Sequence, residues 1–339
     1  MTADRYCEAG VNLDASARVT AKIAELVAST RTNLSWGIVG GFGGMIRVPD
    51  DVPDPVLVTS TDGVGTKVLV AVRANRHDTI GEDLVNHCVN DILVHGARPI
   101  AFLDYIASSS IRPDTVAAIV AGVARACRAH DMTLAGGETA EMPDLYQSGH
   151  YDLAGTIVGI VSEGDSLCGD RVQHGDVLLG YESTGLHTNG YSLARRIVFE
   201  ELSLDLASEI PDVGVSVGDA LLRGHRSYYA AVAPVTRHVH ALAHITGGGL
   251  PGNLSRSLPR GCGAVVETES WPLPPLFPFL QQSGKVERDE MFRVFNMGIG
   301  FVAVLSRDSV GRAESAAREA SVATWIIGEV VEGEGVRIR

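Results

Sequence analysis

The chain has 339 residues, of which 45% are hydrophobic and 20% charged, with 28 Lys+Arg against 41 Asp+Glu and a formal net charge of −13. That balance excludes a surface coated for nucleic acid, whose footprint is basic, and the length predicts two domains rather than one small core. The five cysteines (Cys7, Cys88, Cys127, Cys168, Cys262) are odd in number and widely spaced, which argues against a disulfide framework or a zinc site. The first five residues hold no apolar signal core and no run approaches the ~18 apolar residues of a membrane span, so a cytoplasmic protein is expected.

Asp14 is placed to cap a helix from about Ala15 to Thr30, with Val19, Ile23, Leu26 and Val27 on one face. Residues 37–44, Gly-Ile-Val-Gly-Gly-Phe-Gly-Gly, form a glycine-dense loop, either a cover over a site or a loose connection. Val56-Leu57-Val58-Thr59 reads as a buried strand running into Asp62-Gly63-Val64-Gly65-Thr66-Lys67. Two glycines let the backbone approach a ligand closely, while Asp62, Thr66 and Lys67 add a carboxylate, a hydroxyl and a positive charge. The mixture suits a phosphate with its magnesium ion. It equally describes a strand-end turn, and the P-loop spacing is absent.

A helix from about Thr79 to Val94 carries the apolar arc Leu84, Val85, Cys88, Val89 and Ile92, with Asp91 at its border. A carboxylate there needs a partner: an arginine, a backbone N–H, or a metal ion shared with Asp62. Ile100 to Ala107 reads as a strand holding Asp104, a further acid beside the site. Pro113 starts an amphipathic helix through Cys127. Met132 to Ala135 is a short strand followed by a Gly136–Pro143 segment containing Gly137 and Glu138. Asp62, Asp91 and Glu138 together form a constellation suited to a divalent metal. Tyr151 to Val161 closes the first domain as a strand. The polar stretch Glu163–Gly175 marks the boundary, giving domains of 1–165 and 166–339.

The second domain opens with the strand Val177–Tyr181, which leads through Ser183-Thr184-Gly185-Leu186-His187-Thr188-Asn189-Gly190 into a helix bearing Leu193, Ala194, Ile197 and Val198. Ala241–Ile245 leads likewise through Thr246-Gly247-Gly248-Gly249 to a short helix. Loops that end on helix starts present free N–H groups, so both are candidate anion sites. His187 is either a proton exchanger near neutral pH or a loop hydrogen-bonder. Strands at 299–305 and 323–327 flank a helix at 313–320. Alternating strands and helices in both halves predict α/β or α+β layering.

Assembled, these residues resemble the phosphoribosylformylglycinamidine cyclo-ligase (aminoimidazole ribonucleotide synthetase) family, nearly end to end. The resemblance rests on Ala9-Gly10-Val11, Gly40-Gly41-Phe42-Gly43, Thr61 to Lys67, His77-Asp78-Thr79-Ile80-Gly81 and Cys88-Val89-Asn90-Asp91. Phe102-Leu103-Asp104-Tyr105, Gly136 to Pro143, His187 to Leu193, Thr246 to Gly249 and Glu290 to Asn296 extend it. It implies a two-domain α/β (α+β) fold whose N-terminal domain binds ATP and magnesium and pairs across a homodimer. The C-terminal α/β domain is then the substrate-phosphate-binding one. It implies ATP, Mg2+ and formylglycinamidine ribonucleotide as ligands, with neither nucleic acid nor membrane as partner.

By the same resemblance Gly40, Gly41, Gly43, Asp62, Gly63, Val64, Gly65, Thr66, Lys67, Gly137 and Glu138 meet the nucleotide, and Asp62, Asp91 and Glu138 the metal. Lys67, Asp91 and His187 are catalytic. Ser183, Thr184, Gly185, His187, Thr188, Asn189, Gly190 and Thr246, Gly247, Gly248, Gly249 hold the substrate. Two departures stand out. Cys7 replaces a common lysine, and in Gly224-His225-Arg226-Ser227-Tyr228 the Pro and Thr of a common Pro-Thr-Arg-x-Tyr pattern are lost while Arg226 and Tyr228 are retained, which bears on ligand contacts around 224–228. The alternative reading is a diverged, non-catalytic nucleotide-binding paralogue.

Overall fold

The computed structural model describes residues 13–37, 41–211 and 213–339. Gly40, and the departures and motifs at residues 7–11, lie outside the described residues. The chain divides into two compact units, Met1–Val89 with Pro99–Ile160, and Asn90–Arg98 with Val161–Arg339. The second unit thus takes in a short stretch, 90–98, that a linear division at 165 assigns to the first.

The first unit opens with helix α1 (Leu13–Ala28) and a two-residue ladder of β1 (Ser35–Trp36) with β2 (Met45–Ile46). Strand β3 (Pro55–Gly63) is followed by α2 (Lys67–Ala74) and α3 (Ile80–Leu93), the last turn of which belongs to the second unit. Strand β4 (Arg98–Ser108), helix α4 (Pro113–Ala129), β5 (Thr133–Glu141) and β6 (Tyr151–Ser162) complete it. The sheet order is β3-β6-β4-β5, with β4 and β5 parallel.

The apolar arcs of α3 and α4 bury Leu84, Val85, Cys88, Ile119, Val120 and Val123 against one face of this sheet, where Phe102 of β4 is also fully buried. Two expectations change here. Strand β3 is an edge strand, and Val56 and Leu57 are 40% and 56% exposed rather than buried. The strand expected at 132–135 does not end at Ala135: β5 runs on through Glu141, because its parallel pairing with β4 continues past an irregularity at Phe102/Leu103.

In the second unit β7 (Val177–Glu182) leads to α5 (Tyr191–Arg195), α6 (Val217–Leu221) and α7 (Tyr229–Val232). Strand β8 (Ala241–His244), α8 (Gly249–Leu254), β9 (Cys262–Val266), α9 (Leu276–Gly284) and α10 (Arg288–Val294) follow. Strand β10 (Ile299–Leu305), α11 (Val310–Glu319), β11 (Thr324–Glu332) and β12 (Val336–Ile338) end it. The six strands lie in the order β12-β9-β11-β7-β10-β8, antiparallel except for the β12–β9 pair. This is the α+β form of the expected layering. Strand β10, Ile-Gly-Phe-Val-Ala-Val-Leu, is buried along its whole length, as a central strand covered on both faces must be. Leu179, Tyr181, Tyr228, Phe301 and Ala317 share one core cluster.

Candidate functional site

In the first unit the Asp62–Lys67 segment begins inside β3 and ends at the start of α2. Asp62 keeps a side chain 49% exposed. Its Oδ1 accepts the Gly63 N–H at 2.6 Å and its Oδ2 lies 2.9 Å from Nε2 of the buried His87. Each carboxylate oxygen has a second lone pair, so a half-exposed Asp62 held in place from both sides retains the hard oxygen donors that magnesium takes. Gly65 has φ +56°, a conformation glycine adopts without strain. The loop residues Gly41 and Gly43 lie in a bend, exposed.

Lys67 departs from its expected role. Its side chain is fully buried and its Nζ lies 2.7 Å from Oδ2 of the equally buried Asp83. Burial lowers the Lys67 pKa, against the pull of the Asp83 carboxylate. An ammonium committed to a buried carboxylate is not presented to a phosphate. It ties the start of α2 to α3, and removing one partner alone would strand a charge in the core.

Glu138 departs as well. Strands β3 and β5 are the two edges of the sheet, three strand spacings or roughly 14 Å apart. The faces differ too. Glu138 is the direct partner of the exposed Tyr105 on β4, whereas Asp62 meets His87 of the covering helix α3. Asp62 and Glu138 of one chain therefore do not share an ion. Glu138 Oε1 instead accepts the Thr139 N–H at 2.8 Å, and Gly137 lies against Asp104, where an added Cβ would come within 2.1 Å of the carboxylate.

In the second unit Asp91 Oδ1 sits 2.8 Å from Nδ1 of His244, at the end of β8. The carboxylate only accepts, so that ring nitrogen carries the proton. The Asp91 side chain remains 24% exposed, and an imidazole holding one carboxylate oxygen orients the group in the manner of a metal site's outer shell. His244 Nε2 lies 3.1 Å from His225 Nε2, and His225 Nδ1 3.2 Å from Thr188 Oγ1. Asn90 Oδ1 accepts the Tyr228 N–H at 2.9 Å, while its Nδ2 donates to the Arg226 carbonyl at 2.8 Å and lies 3.2 Å from His225 Nε2. His225, one of the two residues that depart from the Pro-Thr-Arg-x-Tyr pattern, is thus built into the network around Asp91.

His187 is 1% exposed, with φ +59°, and its ring stacks on His225 at a centroid distance of 4.2 Å. Its Nε2 accepts the Thr184 N–H at 3.2 Å. The geometry makes it an organiser of the 183–190 loop; a proton exchanger needs access that this ring lacks. Gly300 leaves room for it, since a Cβ there would meet His187 Cε1 at 2.5 Å. The loop's hydroxyls are largely spent on the loop itself. Thr184 Oγ1 donates to the Gly224 carbonyl at 2.5 Å, and Ser183 Oγ donates to Asn296 Oδ1 at 3.0 Å.

The 246–249 turn is filled by Asn253, whose Nδ2 donates to the carbonyls of Thr246, Gly247 and Gly249 at 2.9–3.3 Å. The helix after the first loop begins as α5 and runs on as a π-helix through Glu201, while α8 after the second is six residues followed by a 3-10 turn through Ser257. Each offers an anion the N–H groups of its first turn. Gly190, the Asn189 neighbour that opens α5, has φ +78° and lies against the Phe295 ring.

Sequence reasoning missed His87, His225, His244, Asn90 and Asn253. The signal available was polarity inside apolar patterns: His244 in the otherwise apolar Ala-Leu-Ala-His of β8, and His87 and Asn90 within the arc of α3.

Residues 43–161 match the family model described as the AIR synthase related protein N-terminal domain, and residues 173–339 the C-terminal domain of the same description. With the two units above, these matches define the class: the chain belongs to the AIR synthase related family. Among its members the chain is 44% identical over 331 residues to the phosphoribosylformylglycinamidine cyclo-ligase of Alkaliphilus metalliredigens, covering 97% of this chain and 95% of that protein. It is 45% identical over 328 residues to that of Desulfatibacillum aliphaticivorans (96% and 94%) and over 332 residues to that of Geobacter sulfurreducens (97% and 95%). The chain belongs to the phosphoribosylformylglycinamidine cyclo-ligase family of enzymes.

Solved structures agree on the fold. Thiamine-monophosphate kinase from Stenotrophomonas maltophilia superposes with a TM-score of 0.72 at 20% identity, covering 94% of this chain and 95% of that one. The hydrogenase maturation protein HypE in complex with ATP superposes with a TM-score of 0.62 at 18% identity (94% and 86%).

Proposed function

We propose that the chain cyclises formylglycinamidine ribonucleotide to aminoimidazole ribonucleotide at the expense of ATP, as a cytoplasmic homodimer in purine biosynthesis. The observation that carries this reading is the 44–45% identity to cyclo-ligases along 96–97% of the chain. The formyl oxygen is a poor leaving group. Phosphorylation forms an O–P bond there as the bond to ADP breaks; the amidine nitrogen then closes the ring by forming a C–N bond, and phosphate departs. Such a reaction asks for positioning and charge neutralisation more than for covalent catalysis.

The residues divide accordingly. Asp62 and Asp91 are the proposed magnesium carboxylates, each exposed in part and oriented by its own histidine. Bound magnesium supplies neutralisation of phosphate charge. The backbone of Gly63–Thr66 is the proposed phosphate cradle, with Gly41 and Gly43 above the nucleotide. Lys67 acts on that cradle through Asp83 rather than by contact. The loops 183–190 and 246–249 are the proposed substrate supports, with His187 fixing the first of them.

The test is ADP release by purified protein with magnesium and ATP, with and without formylglycinamidine ribonucleotide. ADP that depends on the ribonucleotide, matched by equimolar aminoimidazole ribonucleotide, is the expected result. Folded protein without such turnover would point to the non-catalytic paralogue. In Asp62→Asn the same assay should fall on the order of 100-fold or more. Full activity at ordinary magnesium would remove Asp62 from the metal.

A further inference from the structure

The second unit contains a cavity of about 440 Å³, within the roughly 300–1,000 Å³ range of small-molecule sites. It lies between the end of β7 with its loop (Glu182–Gly185), the segment that carries Arg223 and Arg226, and the start of α9 (Pro274–Phe277). Its chemistry is divided. Two guanidinium groups and one carboxylate leave a net positive charge among the lining side chains, while the Pro-Pro-Leu-Phe wall is apolar. Arg226 is the arginine retained from the family's Pro-Thr-Arg-x-Tyr pattern, and Arg223 stands just before that segment.

The polar wall is rigidly built. Glu182 Oε2 lies 3.4 Å from Arg226 Nη1, steadying the guanidinium at a distance longer than a good hydrogen bond. That Nη1 is shielded from water and meets no hydrogen-bond acceptor among the described residues. It is the rest of the Arg226 side chain, 21% exposed, that lines the cavity. The backbone beneath is fixed from both sides. The Arg226 carbonyl and the Tyr228 N–H are both held by Asn90, and the buried Tyr228 donates its hydroxyl to the Glu182 carbonyl at 2.8 Å. Thr184 and Gly224 stitch the other two polar segments together.

We propose that this cavity takes the phosphate-bearing end of the ribonucleotide substrate, with Arg223 and Arg226 as the specificity-determining pair. The planar guanidinium fork matches phosphate oxygens two at a time. The apolar wall keeps water from the ion contact, and Glu182 beside it accepts from ribose hydroxyls. The assignment rests on the cyclo-ligase reading for the identity of the substrate, and on the cavity alone for phosphate recognition.

The experiment compares wild type with Arg223→Gln and Arg226→Gln in steady-state kinetics, using formylglycinamidine ribonucleotide and the riboside lacking its phosphate. Each variant should raise KM for the ribonucleotide on the order of 10-fold or more, with KM for ATP and kcat within about twofold. With the riboside, wild type and variants should be indistinguishable. An unchanged ribonucleotide KM in both variants would overturn the proposal. Arg223 is exposed, so its replacement keeps the test open should Arg226→Gln fail to fold. A wild type that turns over no ribonucleotide sinks the cyclo-ligase reading, and calorimetry with ribose 5-phosphate then decides the cavity separately. Binding to wild type that is lost in Arg223→Gln sustains it; absent binding, or binding the variant retains, ends it.

Discussion

Asp104 shows how one side chain sets a pH dependence for the whole chain. It lies on β4 between the buried Phe102 and Ile106, with its carboxylate over Gly137. Burial pushes its pKa from 3.8 up to about 7, offset only in part by a backbone hydrogen bond. The unfolded chain releases this proton near 3.8, while the folded chain keeps it to about 7. Between those values the folded state binds more protons, so this group's contribution to stability falls as pH rises through the window and is level above it. At about 1.4 kcal/mol per unit, the loss reaches a few kcal/mol. His130 works in the opposite sense: burial lowers its pKa from 6.5 to about 4, so its contribution is present above 6.5 and lost as pH falls toward 4. A comparison of Asp104→Asn with the parent cancels the histidine. Thermal melts should show the variant several degrees more stable at pH 8 and nearly equal at pH 4. A difference independent of pH would mean that Asp104 is ionised throughout. The sequence shows an acid inside an apolar strand; it does not show that the neighbouring strand offers a bare glycine rather than a cation, which is what raises the pKa.

Between elements, the tightest constraint in the first unit is the approach of α3 to α4. An added Cβ at Gly81 would lie 2.0 Å from the Ile119 carbonyl oxygen, and one at Gly122 would lie 2.6 Å from that of Asp78. Alanine is a better helix former than glycine by about 1 kcal/mol, but these contacts are with backbone, which cannot rotate away. Gly81→Ala should therefore lose on the order of 2–3 kcal/mol, read as a lower urea midpoint at unchanged slope. A gain in stability would show that the helices separate freely. The helices themselves were legible, because α1, α3 and α4 carry apolar residues at helical spacing. Helix α2 was not: Lys-Val-Leu-Val-Ala-Val has no such period, and its first residue is a lysine buried against Asp83. The site was legible in part for a related reason. Asp62 and Asp91 stand at strand and helix ends where a polar residue is conspicuous. Glu138 sits in a glycine stretch that reads as lying past a strand end, and only the pairing of β5 with β4 reveals it as an edge-strand residue. The histidines around Asp91 come from segments far apart in sequence, and nothing local marks them as neighbours.

At the scale of the molecule, the face of the first unit's sheet away from α3 and α4 is covered only in part among the described residues, by Leu34, Ile46 and Val52 packed on Ile100, Ala101 and Ile160. Leu103 and Tyr105 of β4 are 37% and 39% exposed, and Val56 and Leu57 leave the edge strand β3 apolar toward solvent. Apolar side chains gathered on a partly uncovered sheet face, beside strand edges, usually meet another surface. A second copy of the chain is the simplest partner, since a two-fold axis lets the same patch satisfy itself. On this argument the protein sediments at twice its 35.9 kDa chain mass at micromolar concentration. Leu103→Glu combined with Tyr105→Glu places like charges on both copies of the face and should shift the species toward monomer. The far side of that sheet, where α3 and α4 pack, is untouched by the change, so the variant should keep its helical circular dichroism. A wild-type monomer would refute the dimer outright. A dimer that survives the double substitution would move the interface off this face, and the unpaired edge of β3 would then be the surface to alter next.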